Sequence, residues 1–495
     1  MAVGYEYLRE HFAPTAFAFK PVAKVAAVTR LSLMGDVLAV PAAVAPGDSL
    51  LNDPLAHLLF ALKHEGTNLQ VLAQALPLIP DHVMVDAFNT APTGSYIRVA
   101  CFLWEQFSGL QLDVHGVSDS AKAVFVFDPK RYVTVARPRD AKWHVSFNGL
   151  GTISYCPTVR LTAAVRAGIE ADTLSKTEAF ISSLGPVATD RALAWAYMHE
   201  TEDSFAIERE SPSFDKAQAF VSLLQQAHQR RDVTEAYLVD LQNTVVSNSL
   251  DKATQYRTEQ NWLRGPGRGA LGISYVPPAP ALAAKLMGHL EAMANQLPSQ
   301  IDALVAASVC AFGFVYVHPF MDGNGRLSRF LFHHALCKSG RLKSGLILPV
   351  SVAMKRREAD YLRCLQSFSK PARAGWRVLW IDEGKYSFEF TGSESNYRFW
   401  DATECVEFGF SVAAQALEID LRQETDFLAR YDAVYAAVDK NFNIRNNDLA
   451  TLVTSTLDNA GIVSKNRRKQ FEGRVPEAAF EMLERVAQRC LGLEV

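Results

Sequence analysis

The chain has 495 residues, 49% of them hydrophobic, which is enough for two to four domains with sizeable cores. Its 50 basic and 53 acidic residues leave a formal net charge of −3, which argues against bulk electrostatic binding to nucleic acid. The seven cysteines are odd in number and unclustered, which is typical of reduced cytoplasmic proteins rather than disulfide scaffolds or zinc sites.

No membrane segment or signal peptide is expected. The N-terminus lacks a basic segment followed by an apolar core. The longest apolar run, Ala303 to Val317, is shorter than the roughly 18 to 20 residues that cross a bilayer. We therefore expect a cytoplasmic protein that has this run as a buried helix.

Residues 1–185 are predicted to form an N-terminal region that is mixed and mostly helical. Leu55 to Leu76 and Ser95 to Leu110 have the periodicity of helices. Lys142 to Arg160 alternates more and contains glycines and a proline, which favours strands or a hairpin. The region contains no recognisable catalytic constellation.

Residues 186–375 are predicted to form a helical central region with one hairpin. Its first helix carries Ser204 and Glu208, which are four residues apart and so share one face. The hairpin is expected between Tyr256 and Tyr275, where the tip is rich in turn-forming glycine. A plain surface loop is the alternative for this segment.

A helix, a short loop and a second helix are predicted around residue 318. Pro319 disfavours the α region at His318, so the apolar helix should end at or just before that residue. Gly325 to Lys338 has helical spacing of its apolar residues. The segment Gly323-Asn324-Gly325 then forms the junction with the second helix.

Residues 376–495 are predicted to be helical. A helix, a turn and the basic stretch from Lys465 to Lys469 suggest a winged-helix-like module, with a plain helical bundle as the alternative. A solvated helix face is the simpler reading of the basic stretch, so a nucleic-acid contact is not expected.

The loop at residue 318 combines the side chains of a phosphoryl site. Backbone N–H groups at a helix N-terminus bind anions, and Arg326 and Arg329 share one helix face from which guanidinium groups can bind phosphate. The Asp322 carboxylate is a hard ligand of the kind Mg²⁺ uses beside phosphates. His318 can accept a proton near neutral pH. A structural histidine beside an ordinary turn would not need this combination.

The segment from His318 to Arg329, His-Pro-Phe-Met-Asp-Gly-Asn-Gly-Arg-Leu-Ser-Arg, resembles the signature of the Fic family, whose members transfer nucleotide fragments onto protein hydroxyls. The resemblance implies a mainly α Fic fold with a helical core and a β-hairpin flap. It also implies that Phe320 is buried and that ATP and Mg²⁺ bind here. The implied roles are general base for His318, Mg²⁺ ligand for Asp322, anion hole for Gly323, Asn324 and Gly325, and phosphate binding for Arg326 and Arg329.

Two further segments resemble parts of that family. Residues 204–209, Ser-Phe-Ala-Ile-Glu-Arg, resemble an inhibitory helix, in which Glu208 would pair with Arg329 and block productive ATP binding. Arg209 departs from the pattern, which has Gly or Asn there. Glu65 is followed by a glycine but lacks the accompanying hydroxyl residue, so Glu208 is preferred. Gln260, Asn261 and Trp262 resemble part of the flap hairpin, which sets the register of the target chain.

The resemblance implies a protein adenylyltransferase that moves AMP from ATP to a Ser, Thr or Tyr hydroxyl of a target protein, and of itself, restrained by Glu208 with Ser204. The same fold could instead remove AMP or transfer UMP, phosphate or phosphocholine. An alternative of another class is a regulatory or toxin–antitoxin-like binding module with a degenerate site. The expected partners are ATP and the target protein, with a homodimer as a further option.

Overall fold

The computed structural model describes residues 1–17, 21–47, 52–246, 248, 251–343, 345–382 and 384–493. This part of the chain is mainly α-helical, as predicted, and its strands form four small sheets.

The described residues of the N-terminal region form seven α-helices and two small sheets. The helices are α1 Tyr5–Phe12, α2 Pro54–His64, α3 Leu69–Ala75, α4 Asp81–Thr90, α5 Ser95–Ser108, α6 Ala163–Ala171 and α7 Thr173–Ser183. The strands are β1 Val22–Val25, β2 Ser32–Met34, β3 Val37–Val40, β4 Val124–Phe125 and β5 Val145–Ser146. Strand β3 lies between β1, which is parallel to it, and β2, which is antiparallel, while β4 and β5 form a parallel pair.

Eight α-helices and a short hairpin lie in the part of the central region that the structure describes. The helices are α8 Pro186–Ile207, α9 Phe214–Gln226, α10 Glu235–Val245, α11 Pro280–Gln296, α12 Ala303–Val317, α13 Asn324–Lys338, α14 Val350–Arg356 and α15 Glu358–Ala374. The hairpin pairs β6, Leu263–Arg264, with β7, Ile273–Tyr275, in antiparallel fashion with one irregularity. The hairpin predicted within residues 256–275 is therefore present, with strands shorter than that segment.

The C-terminal region begins with a second antiparallel hairpin, β8 Trp376–Asp382 and β9 Lys385–Phe390. The helices that follow are α16 Ser395–Arg398, α17 Thr403–Gln415, α18 Arg422–Asp439, α19 Asn446–Asp458, α20 Lys465–Phe471 and α21 Glu477–Leu491, with a π-helical segment, Ala416–Leu421, joining α17 to α18. Residues 422–493 have helices and no strand, whereas the hairpin β8–β9 departs from the helical C-terminal region that the sequence predicts.

The described residues form five hydrophobic clusters, of which three are large. The largest includes residues from Val135 to Leu421 and contains α12, whose residues are nearly all buried. The second is formed mainly by α1 to α5 with Trp143, and the third by α18 to α21. Because α17 packs against α12 in the largest core, the central and C-terminal regions share packing across residue 376. The boundaries proposed at 185 and 375 stay a prediction.

Helix α12 supports the loop that follows it. The Asp302 side chain caps its N-terminus by accepting hydrogen bonds from the N–H groups of Leu304 and Val305. The helix ends at Val317, where the sequence placed its end, because His318 takes a left-handed conformation with φ 53° and ψ 60°.

No single described helix is long and apolar enough to cross a membrane. Two consecutive helical segments, residues 69–78 and 81–90, are together long and apolar enough, but the chain bends sharply between them.

Candidate active site

The His318 side chain is held in one orientation. Its Nδ1 lies 3.0 Å from the carbonyl oxygen of Val315, which can only accept, so Nδ1 carries the proton and Nε2 keeps a free lone pair. Burial lowers the pKa of His318 to about 4, with the nearby Arg257 cation adding to the effect. At neutral pH the imidazole is therefore an uncharged base.

A tight turn after His318 leads into helix α13. Gly323 has φ 86°, which a side chain would make costly, and the methyl groups of Val245 and Val246 lie beside the place a Cβ would occupy. The Asn324 amide accepts a hydrogen bond from Phe320 N–H at 3.0 Å and donates to Phe320 O at 2.8 Å. Asn324 therefore shapes the loop with its side chain and offers only its backbone to a ligand.

Phe320 is buried, as the family resemblance implies. Its ring packs against Phe314 and Tyr256, with centroids 6.4 and 5.5 Å away. The loop is thus anchored in the core next to His318.

Arg326 and Arg329 are each 1% exposed, yet neither is fully paired. Arg326 Nη1 donates to Val245 O at 2.9 Å, and Arg329 Nε donates to Ser204 Oγ at 2.7 Å. Arg326 Nε and Arg329 Nη1 have no hydrogen-bond acceptor among the described residues. Buried donors of this kind are normally paired, so an anionic ligand that reached these two atoms would satisfy them.

Glu208 lies at the N-terminal turn of α13. Its Oε1 accepts a hydrogen bond from Arg329 Nη2 at 2.9 Å, and Arg329 Nη2 also donates to Ser204 O at 2.7 Å. A Cβ on Gly325 would lie only 1.9 Å from Glu208 Oε1, so the carboxylate rests directly on the Gly325 backbone. The structure thus brings Ser204, Glu208 and Arg329 together, and a carboxylate occupies the anion-binding end of α13.

The residues after α8 add a second contact that sequence reasoning missed. Glu210 Oε2 lies 2.9 Å from Arg326 Nη1. Arg209, between the two glutamates, has φ 60°, a left-handed conformation that favours Gly or Asn. The residue type expected from the family pattern is therefore the type that this backbone conformation prefers.

Asp322 is the one motif carboxylate, and its side chain is partly exposed. Its Oδ2 lies 3.3 Å from Arg326 Nη2. No group of three or more His, Cys, Asp or Glu side chains among the described residues could hold a metal ion by itself. A single hard carboxylate suits Mg²⁺ only when phosphate oxygens and water supply the remaining ligands.

The predicted flap residues have distinct positions. Asn261 Nδ2 donates to Phe320 O at 2.9 Å, and Gln260 Nε2 donates to Pro277 O at 3.0 Å. Trp262 packs edge-on against Tyr386 of β9, 5.1 Å away. Gln260 and Asn261 therefore fasten the hairpin to its surroundings, whereas the strand that follows, β6, is exposed.

Two more positions support the site without any signal in the sequence. Buried Gln242 of α10 donates to Asp322 O at 3.3 Å and to Asp251 O at 2.8 Å. Arg257 donates from Nε to His318 O at 2.8 Å. Both contacts join segments that are far apart in the chain, so local sequence patterns do not predict them.

A buried polar cluster fixes α8 to the rest of the site. Glu200 Oε1 lies 2.7 Å from His333 Nε2 of α13, and Ser351 of α14 donates to the same carboxylate from N and Oγ at 2.7 and 2.5 Å. Glu65, by contrast, accepts a hydrogen bond from Tyr5 N–H in the N-terminal region. Of the two predicted candidates, Glu208 is therefore the one that contacts a motif arginine, Arg329.

Comparison with known proteins gives a family match over residues 232–336, to the Fic/DOC family. A stretch of 115 residues is 30% identical to a protein named protein adenylyltransferase Fic from Drosophila yakuba, covering 23% of this chain and 21% of that protein. A stretch of 67 residues is 37% identical to the protein of the same name from Aedes aegypti, covering 13% of each. The chain thus matches only a small part of the length of these curated relatives.

Solved structures similar to this chain include a Fic family protein from Desulfovibrio desulfuricans G20, with 19% identity, a TM-score of 0.40, and coverage of 65% of this chain and 97% of that one. A Fic domain containing signaling protein from Bacteroides thetaiotaomicron VPI-5482 has 16% identity, a TM-score of 0.37, and coverage of 52% and 96%.

Proposed function

Because residues 232–336 match the Fic/DOC family, we propose that this chain is a protein adenylyltransferase. It transfers AMP from ATP to a Ser, Thr or Tyr hydroxyl of a target protein and of itself. Glu208 restrains the reaction. The names of the curated relatives support this assignment.

One observation carries the proposal: a neutral histidine with a free Nε2 stands beside a helix N-terminus that has two incompletely paired arginines. In the proposed reaction His318 Nε2 takes the proton of the target hydroxyl. The hydroxyl oxygen forms a bond to the α-phosphorus, and the bond from that phosphorus to the bridging oxygen breaks. Pyrophosphate leaves with the electron pair, so catalysis depends on positioning and charge neutralisation.

Arg326 and Arg329 hold the phosphates of ATP in this proposal. The N–H groups at the start of α13 face the same anion, where the helix dipole favours negative charge. Asp322 would hold Mg²⁺ together with those phosphates, since its carboxylate is accessible and of the right hardness. The ion, when bound, would neutralise phosphate charge.

We propose the restraint because of where the Glu208 carboxylate lies. It pairs with Arg329 and rests on Gly325, where a phosphate would otherwise lie. Two anions cannot share this position, so productive ATP binding requires Glu208 to move.

The test is incubation of the full chain and its Glu208→Gly variant with Mg²⁺ and ATP labelled on either the α- or the γ-phosphate. We expect protein labelling from α-labelled ATP only, and more of it in the variant. Mass spectrometry should find AMP on a hydroxyl side chain. Label from the γ-phosphate would indicate phosphate transfer instead, and no labelling of any protein would contradict the proposal.

His318→Ala in the Glu208→Gly background should abolish labelling. The matched control is His115→Ala, since His115 is exposed and outside the site. Equal labelling by the His318→Ala variant and the control would show that His318 is not the base.

A further inference from the structure

Arg257 lies where both ends of the flap hairpin meet the catalytic loop. Its backbone N–H donates to Pro319 O at 2.8 Å, and its Nε donates to His318 O at 2.8 Å. Its Nη1 donates to Glu259 O at 3.0 Å, and its Nη2 donates to Pro278 O at 2.5 Å. One side chain therefore joins the loop, the segment entering the hairpin and the segment leaving it.

Burial of the Arg257 guanidinium costs free energy of desolvation. Arg257 is 6% exposed, and each acceptor of its side chain is a backbone carbonyl rather than a carboxylate. Burial lowers the pKa of Arg257 to about 10, which reflects the cost of the desolvated charge. A rigid fork that can reach three carbonyls at once is something few other side chains provide.

The acceptor residue His318 has a backbone conformation that needs support. Its φ of 53° is uncommon for a residue other than glycine, and such a conformation persists only when its surroundings fix it. Its N–H donates to Phe314 O at 2.9 Å, and its Nδ1 is fixed by Val315 O. The carbonyl is the remaining backbone group, and Arg257 holds it.

We propose that Arg257 is the positioning residue of His318: its guanidinium fixes the His318 carbonyl, and so the left-handed turn that aims Nε2 at the incoming hydroxyl. The same contact sets the distance between His318 and the flap. This inference rests on the proposed adenylyltransferase activity only for its kinetic readout. It also has a spectroscopic readout that needs no activity.

Three charged side chains act on the imidazole from separate elements. The Arg257 cation lowers the pKa of His318, while the carboxylates of Glu208 and Asp322 raise it. Replacing Arg257 by a neutral residue should therefore raise that pKa. Replacing it by lysine keeps the charge but removes the planar guanidinium that donates to three carbonyls.

The experiment compares Arg257→Met and Arg257→Lys in the Glu208→Gly background. The matched control is Arg98→Met, because Arg98 is also a buried guanidinium that donates to three backbone carbonyls, those of Trp143, Lys122 and His144, in the N-terminal region. Rates are measured from pH 4.5 to 8 and divided by the folded fraction from circular dichroism. NMR of histidine-labelled protein reports the pKa and tautomer of His318.

For Arg257→Met we expect kcat to fall roughly 10- to 100-fold with KM for ATP little changed, because a misplaced base costs about that much. The acidic limb of the profile and the NMR pKa of His318 should move to higher pH. Arg257→Lys should lose kcat without that movement, and Arg98→Met should show neither effect. A turnover per folded molecule equal to that of Arg98→Met would overturn the proposal.

If the Glu208→Gly parent labels no protein, the proposed function fails while the Arg257 proposal remains open to the NMR measurement. An unchanged pKa and tautomer of His318 in folded Arg257→Met would then overturn it. If Arg257→Met does not fold, the kcat of Arg257→Lys tests the proposal instead. A lysine variant with full kcat would contradict the positioning role.

Discussion

Glu210 Oε2 lies 2.9 Å from Arg326 Nη1, one residue beyond the Arg209 that separates it from Glu208. The same short segment thus places a carboxylate on each of the two motif arginines. In the proposed reaction both arginines bind the phosphates of ATP, so the contact of Glu210 with Arg326 would add to the restraint by Glu208.

We therefore expect Glu210→Gln to raise AMP labelling about two- to five-fold in the Glu208→Gly background, the range for losing one partly exposed ion pair. KM for ATP should fall, since Arg326 becomes free to bind phosphate. Initial rates over a range of ATP concentrations check this. The control is Glu202→Gln, whose exposed carboxylate pairs with His199 on the same helix. A Glu210→Gln variant no faster than the control would contradict a role for this contact.

Arg209→Gly should strengthen the restraint. Arg209 has φ 60°, which costs a non-glycine residue about 1 kcal/mol, so glycine favours the conformation that presents Glu208 and Glu210. We expect a small rise in the midpoint of thermal unfolding and lower labelling by the otherwise unchanged chain.

Arg230→Gly is the matched control for that variant, since Arg230 is also an arginine with positive φ, 53°, at a helical end. It should gain similar stability without a change in labelling. The Arg209→Gly effect on labelling should also vanish when Glu208 is glycine and Glu210 is glutamine. Equal labelling by the two glycine variants would show that the conformation at 209 does not control the site.

The local geometry of the site could be predicted from the sequence. The end of α12 at Val317, the start of α13 at the Gly-rich junction and the shared face of Ser204 and Glu208 follow from neighbouring residues alone. These features depend on the proline after His318, on glycine conformation and on helical periodicity, and all of these act within a few residues.

The supporting contacts could not be predicted in this way. Glu210 and Arg326 are 116 positions apart, and Glu200 and His333 are 133 apart, so only the packing of whole helices brings them together. Arg257 is one arginine among many in the sequence and becomes distinctive only through the carbonyls around it. The hairpin β8–β9 at the start of the C-terminal region was not predicted, because helical patterning elsewhere in that region does not determine whether strands accompany the helices.

The pH dependence of labelling should reflect the burial of His318. Because burial lowers the pKa of His318 to about 4, the neutral base predominates well below the ordinary imidazole value of about 6.5. We expect labelling by the Glu208→Gly variant to persist down to about pH 5 and to decline below it, with the folded fraction followed by circular dichroism. A decline centred near pH 6.5 would contradict a desolvated base.

The free energy of unfolding should also depend on the protonation of His318. Between pH 6.5 and about 4 the unfolded chain binds a proton that native His318 does not, so the free energy of unfolding falls as the pH falls through this window. His334, whose pKa burial also lowers to about 4, adds to this effect. In His318→Ala the fall should be smaller, which denaturant titrations at pH 7 and pH 5 can measure.

The buried cluster around Glu200 should control how firmly α8 is docked. Its carboxylate contacts His333 of α13 and Ser351 of α14, so Glu200→Ala leaves partners unpaired on two other helices at a cost of roughly 3 kcal/mol. Because Glu208 is at the end of the same helix, loosening α8 should raise labelling while Glu208 is present.

Thr201→Ala is the control for Glu200→Ala, since Thr201 is equally buried on α8 but its hydroxyl donates to Tyr197 O within the same helix. We expect Glu200→Ala to increase labelling of the otherwise unchanged chain and to add nothing in a Glu208→Gly, Glu210→Gln background, because the carboxylates it would release are then gone. An increase that persisted in that background would mean that Glu200 acts on the arginines or the loop directly, rather than through the docking of α8.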